Sequence, residues 1–297
     1  MTELAPLPSG RPQRLVYLGT PAMAVPPLES LVAHGFDVAL VVTGVDKRRG
    51  RGASTEPTPV KVAASRLGIA VTHTVDEALS VDADLGVVVA FGKLIKAPVL
   101  ERLPMVNLHF SLLPRWRGAA PVERALLAGD TVTGVSLMQL ELGLDTGPVC
   151  ATAEVPIGPR QTADELRAAL AEEGSRLLVE SLAAGLPAPT PQRGEATYAA
   201  KLDPSEFVID WTKPAVEVDR LVRLGVAWTT FRGRRLKVLA SDVADDSGPA
   251  GSVIARSQIG CGTGSIILRR VQPEGKPVMD AQSWANGAHP RAGERLG

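Results

Sequence analysis

The sequence predicts an α/β chain in which a helix-covered parallel sheet is followed by a small β-barrel domain. Three observations predict it. Short apolar or β-branched runs alternate with stretches of helical spacing up to about Thr133. A proline-rich stretch at 186–191 then interrupts the chain. Beyond Tyr198, apolar strand-like runs separated by glycines dominate.

Residues 14–20, Arg-Leu-Val-Tyr-Leu-Gly-Thr, open a βα unit: the apolar run ends at Gly19, and Pro21 sits where a first helical turn tolerates proline. A helix to about His34 should follow. Runs at 38–43, 70–72, 85–90 and 105–110 supply further strands, and 60–67 carries helical spacing. From Thr133 the pattern becomes two strands, 134–141 and 147–156, joined by a turn at 143–147, which adds a hairpin to the sheet. Thr162 starts an amphipathic helix with Leu166, Leu170, Leu177, Leu178 and Leu182 on its apolar side, and Gly185 ends it. In the second half, a helix-like segment at 215–224 precedes strand-like runs around Trp228, Leu236, Val253 and Ile266. The glycine cluster at 260–264 reads as a hairpin turn, because no helix follows it as a phosphate-binding loop requires. The expected division is a first domain at 12–185, a Pro-rich linker at 186–197 and a second domain at 198–290.

A chain of 297 residues, 45% hydrophobic and 22% charged, fits two ordinary globular domains. Its 32 basic residues balance 32 acidic ones, so no whole-protein field draws in nucleic acid and a polyanion would be held by local patches. Cys150 and Cys261 are far apart and neither lies near a His, which supports neither a disulfide framework nor a metal site. Residues 1–13 lack the apolar core of a signal peptide. The longest apolar run, 85–91, is far short of the roughly 20 residues a spanning helix needs. A cytoplasmic protein without a membrane partner is expected.

In residues 106–110, Val-Asn-Leu-His-Phe, strand alternation sends Asn107 and His109 to one face and Val106, Leu108 and Phe110 to the other. The carboxyl end of a parallel strand is where α/β sheets bind ligands, and Ser111-Leu112-Leu113-Pro114 marks the exit. An Asn-x-His pair alone more often caps a neighbouring loop. Here the sequence continues Ser-Leu-Leu-Pro-Arg-Trp-Arg-Gly-Ala-Ala-Pro-Val to residue 122, and a tight turn Leu144-Asp145-Thr146-Gly147 follows. This combination resembles the folate-dependent formyltransferase family, from about residue 15 to about 285 and most closely over 105–149.

The resemblance implies a Rossmann-like formyltransferase domain followed by an oligonucleotide-binding (OB) type barrel, and transfer of a formyl group from 10-formyltetrahydrofolate to an amine. It implies catalytic roles for Asn107, His109 and Asp145, a folate-binding segment at Ser111, Leu112, Leu113 and Pro114, and a neighbouring wall at Val88, Val89, Ala90, Phe91 and Gly92. Attack on the formyl carbon builds negative charge on its oxygen, which donors fixed in advance can meet. Asn107 and His109 can supply them, while Asp145 orients the ring and takes the ammonium proton through water.

The central motif is shared by relatives acting on glycinamide ribonucleotide or amino sugars, so it identifies chemistry better than acceptor. Segments 119–122, 210–211, 228–237 and 274–278 look like those of members whose acceptor is initiator methionyl-tRNA. A sugar-nucleotide acceptor, a noncatalytic folate- or tRNA-binding role and a formylfolate hydrolase using water are the alternatives. At 44–45 this chain has Gly-Val where the family usually has Gln-Pro. Two basic stretches are candidate tRNA contacts. The first contains Lys47, Arg48, Arg49 and Arg51, with Arg51 in a Gly-Arg-Gly that matches a family motif. The second falls within 220–237, where six basic residues occur without an acid, and it includes Arg232, Arg234, Arg235 and Lys237.

Overall fold

The computed structural model describes residues 4–48 and 55–297. In chain order its elements are β1 (Arg14–Gly19), α1 (Val25–Ala33), β2 (Asp37–Val42), β3 (Lys47–Arg48), β4 (Thr55–Glu56), α2 (Pro59–Arg66), β5 (Val71–Thr72), β6 (Leu85–Val89), α3 (Ala97–Leu100), β7 (Met105–His109), β8 (Arg117–Gly118) and α4 (Pro121–Ala128). There follow β9 (Val132–Gln139), β10 (Val149–Pro156), α5 (Ala163–Ala184), β11 (Tyr198–Ala199), α6 (Ala215–Val222), β12 (Trp228–Phe231), β13 (Arg234–Ala244), β14 (Val253–Ala255), β15 (Gln258–Gly260), β16 (Ser265–Pro273), β17 (Met279–Asp280) and α7 (Ala281–Ala288).

The chain divides into two compact units. The first is drawn from residues up to Pro121 with Val132–Pro156 and Arg167–Ala200, and the second from Val122–Thr131, Ile157–Leu166 and Lys201–Gly297. Two segments inside the expected 12–185 span thus group with the second unit.

The first unit is built on a seven-stranded sheet of order β10-β9-β7-β6-β1-β2-β5. β1 runs parallel to both β2 and β6, and β6–β7 and β2–β5 are parallel too. Every residue of β6 and β7 is buried, as strands covered on both faces require. The expected hairpin is present: β9 joins β7 antiparallel and β10 joins β9 antiparallel. In α5 the five leucines at 166, 170, 177, 178 and 182 are buried, so its apolar stripe is the one the spacing predicts.

The Pro-rich stretch at 186–197, expected as a linker, pairs with strands of the first unit. Thr190 and Val149 exchange backbone hydrogen bonds of 2.8 Å in both directions, and β11 pairs in parallel with β8. The prolines at 187, 189 and 191 lack N–H donors, but Thr190 between them keeps its own and spends it on β10.

The second unit is an antiparallel sheet of order β12-β13-β16-β15-β14, with β17 paired to β16. Its core holds Ile209, Trp211, Val218, Leu236, Val238, Ile259, Ile266 and Trp284, and the Phe231 and Trp284 rings meet edge to face at 5.2 Å. The last residues link the two edge strands. Arg295 bridges Ser252 beside β14, Leu296 bridges Phe231 of β12, and Gly297 donates to Thr230 O at 3.0 Å. The tail so joins the barrel's two edge strands, and β12 is further covered by Val208, which bridges Trp228. The 260–264 cluster is the β15–β16 hairpin turn, closed by Cys261 N–H to Gly264 O at 3.0 Å.

Candidate active site

β7 lies between β6 and β9, with Asn107 opposite Val88 on one side and Met138 on the other, and His109 opposite Ser136. Strand parity sets Asn107 and His109 on one face, while Val106 and Leu108 go into the core at 0% and 1% exposure. Asp145 reaches the same place from the β9–β10 connection. Its backbone is left-handed (φ 51°), a conformation Asp tolerates better than most residues.

Three polar side chains therefore converge. Asn107 Nδ2 lies 3.5 Å from Asp145 Oδ1, and His109 Nδ1 lies 3.7 Å from Asp145 Oδ2. The carboxylate is held by a shorter bond, from Gly118 N–H to Oδ2 at 2.8 Å. His109 Nε2 lies 2.9 Å from Trp116 O, and since a carbonyl only accepts, that nitrogen carries the proton. Gly118 has φ 120°, and a Cβ there would stand 2.8 Å from Ala199 O, so only glycine turns this N–H onto the carboxylate. A set of fixed N–H donors beside a carboxylate can stabilise charge growing on a carbonyl oxygen and accept a proton from an attacking nucleophile.

The segment after β7 is braced internally. Ser111 is fully buried and donates to Arg115 O at 2.6 Å, while Ser136 Oγ donates to Ser111 O at 2.7 Å and accepts from Leu113 N–H at 3.1 Å. The Ser111 hydroxyl is thus spent on its own turn, and Leu112, Leu113 and Pro114 are the half-buried part of that segment. In the wall at 88–92, Val88, Val89 and Phe91 are buried, Ala90 is half-buried with φ 46° and Gly92 is exposed. Val89, at 0% exposure, belongs to the core.

Of the basic residues, Lys47 and Arg48 form β3, opposite Glu56 and Thr55 of β4. Arg49 and Arg51 lie outside the described residues. In the second unit Arg234 and Arg235 are exposed and Lys237 half-buried on β13, with the Arg235 guanidinium 4.3 Å from the Trp228 ring centroid. Arg232 differs from them. It bonds Glu294 through Nε at 2.6 Å and Nη2 at 3.0 Å, and Ala288 O through Nη1 at 3.0 Å, so its donors are committed to the barrel-closing tail and the end of α7. Arg223 is likewise drawn 3.3 Å from Asp219. Two of the six cations at 220–237, Arg223 and Arg232, thus face acids within the second unit.

Burial pushes the thiols of Cys150 and Cys261 up to about 11. Among the described residues no group of three or more His, Cys, Asp or Glu could hold a metal, and no helix is long and apolar enough to cross a membrane.

Sequence reasoning missed the partners that hold the trio: the Gly118 N–H, the Trp116 carbonyl, and Gln192, which bonds the backbone of the Asp145 turn. Gly147 ends that turn, and a Cβ there would collide with the Gln139 carbonyl and press Met138 Cε at 3.2 Å. Gly147→Ala is expected to cost about 1–3 kcal/mol through this overpacking, read from the urea midpoint, and to lower activity by moving Asp145. An unchanged midpoint would show that the turn yields freely.

The profile described as "Formyl transferase" matches residues 13–182, and that described as "Formyl transferase, C-terminal domain" matches residues 201–289. The chain is 44% identical over 291 residues to the methionyl-tRNA formyltransferase of Dinoroseobacter shibae, covering 92% of this chain and 97% of the relative. It is 44% identical over 293 residues to the methionyl-tRNA formyltransferase of Roseobacter denitrificans, covering 93% and 96%. Its fold is shared with the N-formyltransferase of Helicobacter canadensis, solved with folinic acid and dTDP-3-aminofucose, at a TM-score of 0.67 and 18% identity over 88% of this chain and 99% of that one. The matched regions take in both units and every residue of the converging trio, and the chain belongs to the formyl transferase family.

Proposed function

We propose that this protein transfers a formyl group from 10-formyltetrahydrofolate to the amino group of initiator methionyl-tRNA, acting in the cytoplasm. The observation that carries this reading is the convergence of Asn107, His109 and Asp145 in a chain whose length is matched almost throughout by relatives named methionyl-tRNA formyltransferase. Residues 12–185 carry the chemistry in this reading, and residues 198–290 contact the tRNA.

Asn107 and His109 are the donors for the formyl oxygen as the amine adds to the formyl carbon, His109 by passing its Nε2–H from the Trp116 carbonyl to the substrate oxygen. Asn107 Nδ2 has two N–H groups and directs one toward Asp145, leaving the other for the substrate oxygen. Asp145, steadied by Gly118, takes the proton that the amine loses, directly or through water, and returns it to the folate nitrogen as the old carbon–nitrogen bond breaks. One carbon–nitrogen bond forms, one breaks and one proton moves, with no oxidant or metal in the balance. The half-buried apolar edge of Leu112, Leu113 and Pro114 suits the folate ring system, and Ala90 and Gly92 are the accessible part of the neighbouring wall.

The test offers purified protein 10-formyltetrahydrofolate with methionyl-tRNA, with a sugar-nucleotide amine, or with water alone, and identifies the formylated product. Formylmethionyl-tRNA is expected as the fast product. Preferential formylation of the sugar, or release of free formate, would overturn the assignment.

A further inference from the structure

Gln192 lies in the proline-rich stretch between α5 and β11, yet its side chain is bonded at every polar atom. Its Nε2 donates to Asp145 O and to Gly147 O, both at 2.8 Å, and its Oε1 accepts from Arg117 Nε at 3.1 Å and Nη2 at 2.6 Å. The partners fix the amide's orientation, because a guanidinium only donates and a carbonyl only accepts. The amide therefore ties together the two loops that set the carboxylate. One is the 145–147 turn, where Asp145 is held at φ 51°; the other is β8, where Gly118 follows Arg117 and gives its N–H to Asp145 Oδ2 at 2.8 Å.

We infer that Gln192 is a positioning residue for Asp145, fixing both the peptide that carries the carboxylate and the strand that bonds it. The inference rests on the proposed role of Asp145 in formyl transfer. The backbone of the same stretch is anchored on either side of Gln192. Thr190 exchanges hydrogen bonds with Val149, while Thr197 Oγ1 accepts from Trp116 N–H at 2.9 Å and Thr197 O from Arg117 N–H at 2.9 Å. Gln192 is thus delivered to the turn by a braced segment, and its loss loosens Asp145 while the backbone anchors remain.

Three variants test this. In Gln192→Ala, kcat is expected to fall roughly ten- to hundredfold while KM for the folate and the acceptor stay within about twofold, the signature of misplacement at the reacting atoms. Gln192→Glu is expected to be worse than Gln192→Ala. Its carboxylate still accepts from Arg117 but sets oxygen against the Asp145 and Gly147 carbonyls. Thr190→Val removes only the 3.2 Å hydroxyl bond to Val149 O on the same stretch and is expected to keep wild-type kcat. Gln192→Met, which keeps the volume, replaces the alanine variant if that one does not fold.

Wild-type kcat in Gln192→Ala or Gln192→Glu, or a loss confined to KM, would overturn the inference. Rates are taken relative to wild type with whichever amine it formylates. If wild type formylates none, the proposed function falls, and hydrogen exchange at the Gly118 amide still decides about Gln192. Faster exchange in Gln192→Ala supports the positioning role, and unchanged exchange defeats it.

Discussion

Asn107→Ala and His109→Ala are each expected to lower turnover by roughly a hundredfold or more, with folate binding largely kept, and Asp145→Asn to do likewise. The two alanine variants remove donors aimed at charge that exists only as the amine adds, so the ground-state complex loses little. A hundredfold loss corresponds to about 2.7 kcal/mol, the usual worth of one fixed donor at a growing oxyanion. The asparagine variant keeps the shape of the carboxylate and can still accept from Gly118 N–H. It loses the charge and, with its oxygen kept on Gly118 N–H, turns its amide donor toward Asn107 Nδ2, which lies 3.5 Å from the other carboxylate oxygen. Because the three side chains meet around one group, the double variant Asn107→Ala/His109→Ala is expected to fall by less than the product of the single losses. Single-turnover rates and folate affinity measured separately check this. A variant with near-normal turnover would remove its residue from the mechanism.

The converging trio was legible through the family resemblance of residues 105–149, with local rules placing its members. Parity puts Asn107 and His109 on one face of β7, and a short polar turn presents Asp145. The residues that hold the trio follow no such rule. Trp116 and Gly118 act through backbone atoms, which a sequence does not distinguish. Gln192 stands 47 residues from Asp145, in a stretch whose prolines read as a spacer. The fold divides in the same way. The β7 parity, the α5 leucine stripe and the β9–β10 hairpin are long enough to display their period. β15 and β17 have three and two residues, too few for any alternation to register. α7 contains Asn286 and Gly287, poor helix formers, and is started by Asp280, whose side chain accepts from Gln282 N–H at 2.8 Å. Arg232 shows what charge counting omits: its partner Glu294 is 62 residues away, so only the folded chain separates it from Arg234 and Arg235.

Binding of tRNA is expected to weaken steeply with salt and to depend on Arg234, Arg235 and Lys237. With 32 basic and 32 acidic residues the chain offers no net attraction, so a polyanion must be held where cations are locally concentrated and not already paired with acids. On β12 and β13, Arg235 stacks on Trp228, a geometry that leaves guanidinium N–H groups for phosphate, while Arg234 is exposed and Lys237 half-buried on the same strand. Each phosphate neutralised releases counterions, with a slope of about 0.7 to 0.9 per contact on a log–log plot. Changing Arg234, Arg235 and Lys237 together to Gln should therefore flatten the salt slope by about two to three, measured from about 50 to 200 mM salt, and leave folate binding unchanged. Arg232→Gln is the contrasting variant. Its bonds to Glu294 and to Ala288 O tie the barrel-closing tail and the end of α7 to β12, so its loss should lower the melting temperature while the slope stays close to wild type. If tRNA affinity were insensitive to salt and to the triple substitution, these cations would be solvated surface and the sugar-nucleotide acceptor would become the better reading.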